Sequence, residues 1–139
     1  MKRLACGAVL LAVVGVGLIP VGAAEDEVPT IKKIMAKLTK GKTSLTPKIG
    51  AELKKDKPAW DTLQAQSAEY VKYALFMEQN DPPKGDKDQW KDVAKAFALD
   101  AKELDAAVTK KEKEAALVAH DKLAKSCMGC HREYKPAKK

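Results

Sequence analysis

The residues most able to do chemistry lie near the end of the chain, in the run Cys127-Met128-Gly129-Cys130-His131. Two cysteines three positions apart, with a histidine directly after the second, form the attachment pattern of a c-type haem. The spacing has a physical basis. The two sulfurs reach the two vinyl groups on one edge of a porphyrin and form thioethers. The adjacent imidazole can then turn onto the iron as its proximal ligand. The expectation is one covalently held haem, with Cys127 and Cys130 as its thioethers and His131 on the iron.

Three plainer chemistries compete for these residues. A zinc site needs a fourth ligand, and neighbouring Cys130 and His131 rarely converge on one small tetrahedral ion. A thioredoxin-type CxxC belongs at the start of a helix that follows a strand. Here the motif falls at the end of a helical pattern. A Cys127–Cys130 disulfide would close only a tiny loop and add little stability.

The start of the chain places this chemistry outside the cytoplasm. Lys2 and Arg3 precede an apolar stretch from Leu4 to about Val21. Gly22, Ala23 and Ala24 follow, and then Glu25, Asp26 and Glu27. This is the pattern of a cleaved secretory signal over 1–24. A retained anchor is the rival, since the apolar run is long enough for one. The small residues and the missing basic stop favour cleavage, export to the periplasm and no stable membrane insertion afterwards. Cleavage removes Lys2 and Arg3 and lowers the formal charge from +7 to +5. Cys6 precedes most of the apolar run and is given no role.

Residues 25–139 are expected to form one domain. Alanines are many and aromatics only 5 %, which favours closely packed helices over a β-sandwich. A first helix is predicted over 28–40, with Val28, Ile31, Ile34, Met35 and Leu38 on one face. Thr46 and Pro47 predict a short helix to about 55. A second long helix runs from about 58 to 79, with Trp60, Leu63, Ser67, Tyr70, Val71 and Ala74 inward. The loop Asn80-Asp81-Pro82-Pro83-Lys84-Gly85 leads to a third over 86–108, with Trp90, Val93, Phe97, Ala101, Leu104 and Val108 as its seam. The last spans 112–134, with Ala116, His120, Leu123, Cys127, Cys130 and Tyr134 inward. No segment alternates like a strand. The predicted class is all-α, an antiparallel four-helix bundle with covalent haem on its C-terminal helix.

Cys127 to Lys135 resembles the C-terminal motif of the cytochrome c-prime and cytochrome c-556 family, the class II c-type cytochromes. In that family an aromatic follows the histidine by three and a basic residue by four, here Tyr134 and Lys135. The basic place is often arginine, so Lys135 is a departure. Pro83-Lys84-Gly85 followed by Trp90 and Phe97 is similar to the family's loop and third helix. The resemblance implies a haem on the last helix of a four-helix bundle. In the low-spin branch it also implies a methionine ligand from the first helix, and Met35 stands in that place. Met35 could equally be one more residue of the core stripe. Met77 and Met128 are weaker alternatives.

His120 lies eleven residues before His131, about 16 Å along a helix, too far to share an iron. It reads as a core histidine, with a second metal or a dimer contact left open. Trp60, Trp90, Phe97 and Tyr134 read as core or porphyrin-covering aromatics. Lys122, Lys125, Arg132, Lys135, Lys138 and Lys139 make the motif's end basic. That is either a solvated surface or a means of steering acidic redox partners. No nucleic-acid motif is present, and a homodimer is compatible with the sequence.

The expected function is one-electron transfer, not enzymatic turnover. The alternative is binding of nitric oxide or carbon monoxide at a five-coordinate iron, as in family members with an apolar residue in the distal place. A peroxidase needs distal polar groups, and the first helix offers no His or Arg on its apolar stripe.

Overall fold

A computed structural model of the chain describes residues 27–136. The leader expected over 1–24, together with Cys6, lies outside them, as do Lys138 and Lys139. The chain is all-helical: α1 (Ile31–Thr39), α2 (Leu45–Leu53), α3 (Trp60–Glu78), α4 (Lys87–Thr109) and α5 (Lys113–Tyr134). No strand occurs among the described residues.

Local chemistry sets the helix ends. Val28 precedes a proline, which drives it toward extended backbone. It stays 38 % exposed and does not join the α1 stripe as expected. Thr30 caps α1 loosely, accepting the Lys33 N–H at 3.5 Å. Gly41, at φ +81°, turns the chain out of α1. The Ser44 hydroxyl donates to its carbonyl at 2.7 Å. α2 therefore starts two residues before Pro47, which sits in a first turn where its missing N–H costs nothing. Asp86 caps α4 by accepting the N–H groups of Asp88 and Gln89.

Between α4 and α5 the chain makes a Schellman turn. Lys111 N–H donates to Val108 O, and Glu112 N–H to Ala107 O. Lys111 occupies the left-handed position at φ 59°, which glycine usually fills.

The interior follows the expected helical faces with one shift. Ile34, Leu38, Leu63, Tyr70, Leu104 and Leu123 are fully buried. On α4 the seam rotates by about one residue. Ala94 and Ala98 are buried while Val93 is 37 % exposed and Phe97 half-buried. Alanine lets α4 approach its neighbours closely, and α3–α4–α5 form the most extensively packed layer.

Three links fix the heights of the helices. At one end Asn80 donates to the carbonyl of Pro29, just ahead of α1. Halfway down, Thr46 on α2 meets Tyr70 on α3. At the far end Lys113 Nζ donates to Lys55 O, just past α2. α1 and α2 thus follow one another in the same direction along α3. α2 packs on both α3 and α5. α1 packs on α3 and α2, but among the described residues makes no close backbone approach to α5.

A lysine held at positive φ carries a cost of roughly 1–2 kcal/mol that glycine avoids. Lys111→Gly should therefore raise the stability of the fold by up to about 1 kcal/mol, after allowance for glycine's greater freedom in the unfolded chain. A urea denaturation midpoint that moves up without a change in slope is the expected result.

Candidate functional site

α5 carries the motif on its inner edge. Leu123 and Tyr134 are buried, while Cys127, Cys130 and His131 between them are half-buried. The end of α5 is held by a clasp. Trp90 and Tyr134 meet edge to face at 5.0 Å between centroids. Trp90 Nε1–H donates to Asn80 O at 2.7 Å, and the amide of Asn80 donates to Pro29 O and Phe76 O. The Tyr134 ring lies over Gly85, where a Cβ would approach it to 3.0 Å. Trp90 and Tyr134 were legible as core aromatics. The central part of Asn80 was not, because an asparagine before Asp-Pro-Pro reads only as a loop residue.

The two thiols are free. Cys127 donates weakly to Leu123 O, one turn back, at 3.5 Å. Burial pushes both thiols above the ordinary cysteine range. Such thiols are poor nucleophiles at neutral pH, which argues against a thioredoxin-like role. No group of three or more His, Cys, Asp or Glu residues able to hold a metal ion occurs among the described residues. The His131 imidazole makes no hydrogen bond among the described residues.

Below Cys127 lies an open, largely apolar cleft of about 480 Å³, bordered by Thr39, Gly41, Thr46, His120 and Ala124. It lies where α1 ends and α2 begins, beside α5. From Thr39, Met35 is one turn, about 6 Å, toward the clasp. From Cys127, His131 is the same distance in the same direction. Met35 and His131 thus each lie one turn from a residue that borders the cleft, on two helices whose backbones do not approach each other among the described residues. Both side chains are half-buried, as is Ile31. Met77 is buried near the end of α3, and Met128 is 74 % exposed on the outer face of α5.

His120 braces the cleft. Its Nε2 is 2.8 Å from Thr46 O, which assigns the ring proton to that nitrogen. Its Nδ1 lies 3.9 Å from the exposed Asp121 carboxylate. Thr46 in turn donates its hydroxyl to the Tyr70 hydroxyl at 3.3 Å. Burial pushes the Tyr70 phenol up to about 12, so it stays neutral. The ring of His120 lies flush on α2 at Gly50, where a Cβ would come within 2.7 Å of Cε1. An isolated glycine inside a helical stretch was the available signal for this contact.

No protein-family model, curated protein or solved structure matches the chain. What the site can do is argued from its own residues. Two free thiols and an imidazole without a hydrogen bond, half-buried along an edge of α5 that the α1 backbone does not approach among the described residues, can hold a flat apolar group. Among the described residues, no helix is long and apolar enough to cross a membrane.

The Gly50–His120 contact gives a direct test of this packing. Gly50→Ala should destabilise the chain by about 1–3 kcal/mol, the usual cost of overpacking. In a His120→Ala background the same change should cost nothing, or gain up to about 1 kcal/mol from helix propensity. Equal costs in the two backgrounds, measured by thermal unfolding, would show that the imidazole does not rest on α2.

Proposed function

We propose that this chain is an exported, periplasmic c-type cytochrome similar to the cytochrome c-prime and c-556 family. It carries one covalent haem and transfers single electrons without catalysing a reaction of its own. In this reading α1 and α2 together form one column of an antiparallel four-helix bundle, and α3, α4 and α5 form the other three. The observation that carries it is the Cys127–Cys130–His131 set on the edge of α5 that α1 leaves uncovered. A flat apolar group needs such a space, and tight α1–α5 packing would have denied it.

Haem supplies an iron that takes up and gives back one electron. The protein holds it in place and sets its surroundings. Cys127 and Cys130 would supply the two thioether sulfurs that hold the group. His131 supplies the proximal nitrogen. Met35, on α1 one turn from Thr39 at the cleft, would supply a soft thioether to the iron. Ile34 and Leu38 anchor α1 to the core. Met35 is thus fixed from behind, and little rearrangement is needed when the charge on the iron changes. The neutral Tyr70 and the hydrogen-bonded His120 add no negative charge beside the cleft.

Absorption spectra of the oxidised and reduced protein, with and without carbon monoxide, test the reading. The wild type should be six-coordinate, low-spin and unreactive to carbon monoxide. Its haem should resist extraction by acid and organic solvent, while Cys127→Ala combined with Cys130→Ala should release it. Met35→Leu nearly conserves volume. It should give a five-coordinate iron, lower the potential and open the iron to carbon monoxide. A wild type that is already high-spin and binds carbon monoxide rapidly would reduce Met35 to a core residue and favour gas binding.

A further inference from the structure

We infer that the outer face of α5 around Met128 is the docking surface for a redox partner that presents carboxylates around an apolar centre. The inference rests on the electron-transfer reading and names where the partner sits.

Met128 is 74 % exposed, more than any other large hydrophobic residue among those described. Beside it, a Cβ on Gly129 would meet nothing within 4 Å, so the helix surface is bare there. Lys125, Met128, Arg132 and Lys135 follow at intervals of three, four and three, which puts them on one stripe. All four are exposed. The three cations have no ion pair among the described residues. Glu133 points well away from this stripe by helical position. Asp121 continues the stripe two turns below Met128, toward the opposite end of α5.

Lys122 shows the contrast. Sequence alone groups it with the other cations. In the fold it bridges Asp100 at 2.8 Å and Glu103 at 2.9 Å on α4. Its charge is locally balanced, and it serves the α4–α5 contact. Lys125, Arg132 and Lys135 have no such employment. They surround the one exposed apolar side chain between the two thiols.

An apolar centre with a charged rim is the arrangement of a transient protein interface. A single thioether side chain offers too little apolar area to hold a membrane surface by insertion. The complementary charge points to carboxylates, and an apolar patch on the partner would receive Met128. A partner seated there is separated from the two sulfurs by about one helix diameter, 10–12 Å with side chains. In each encounter one electron crosses, the chain being oxidised as the partner is reduced or the reverse, and no bond or proton is exchanged.

The test uses the mature holoprotein and, as probe, a gold electrode bearing a mixed carboxylate- and methyl-terminated monolayer. Adsorbed mass and interfacial electron-transfer rate are read together. The variant K125Q/R132Q/K135Q should lose about tenfold in adsorption affinity and in rate. The control K54Q/K57Q/K110Q, with the same change in net charge, should lose less than about twofold. Met128→Gln should weaken binding to the mixed monolayer and leave binding to a purely carboxylate one unchanged. Equal losses in the two triple variants would overturn the inference, because net charge alone would then be responsible. So would tight binding to phosphatidylglycerol vesicles with none to the monolayer. A haem absorption spectrum taken first separates this question from the parent reading. Without covalent haem that reading fails, while the adsorption arm still reports on the surface.

Discussion

The left-handed turn at Gly41 is the constraint on which the rest of the arrangement depends. At φ +81° it ends α1 where a continuous helix would have run on toward α2. With the column broken, α2 can lean onto α5 through His120 and Gly50, while α1 stays on α3. The lower half of α5 is then covered by α2 as well as α4, while α1 makes no close backbone approach to the upper half. The motif sits in that upper half. A straight first helix of the same length would need one crossing angle for both halves, and so could not close one and open the other.

An opening of that kind weakens a small domain, and the structure compensates at its margins. The clasp of Asn80, Trp90 and Tyr134 ties together the start of α1, the α3–α4 loop and the end of α5. Lys37 on α1 pairs with Glu69 on α3 at 2.7 Å, an exposed pair that contributes little energy but matches the register of the two helices. Ile34 and Leu38 are wholly buried while Ile31 and Met35 are half-buried, so α1 is anchored along one edge and free along the other. An anchored helix with a free edge suits a ligand that must stay in place without strain.

Much of this was legible in the sequence, for identifiable reasons. The three long helices followed from apolar residues recurring at three and four, bounded by Asp86, the Pro-Pro loop and the charged turn at 110–113. The reading of the motif rests on its spacing, and the fold adds that its two thiols and imidazole lie half-buried along one edge of α5. The register of α4 was missed because hydrophobicity favours Val93 over Ala94, whereas close packing favours the smaller residue. The division of the first column into α1 and α2 was half seen, since the short second helix was expected but not its role as a brace. The cation stripe could not be separated from Lys122 in one dimension. Only the positions of Asp100 and Glu103 on the next helix show which lysine is already paired.

The two faces of α5 divide its work. On the inner edge, the half-buried thiols are raised in pKa by their surroundings and are poorly suited to ionic chemistry. The same surroundings suit neutral thioethers, which carry no charge to desolvate. On the outer face, unpaired cations remain in water, where they cost the fold nothing and extend their field over about a Debye length, ~8 Å at physiological salt. Pairing these cations with carboxylates on α4, as Lys122 is paired, would cancel that field and stabilise the fold only slightly. The placement of Asp100 and Glu103 beside Lys122, lower on the helix, therefore keeps the helix contact and leaves the field around Met128 intact. One helix thus separates an apolar interior fit for a neutral flat group from an exterior fit for a charged visitor.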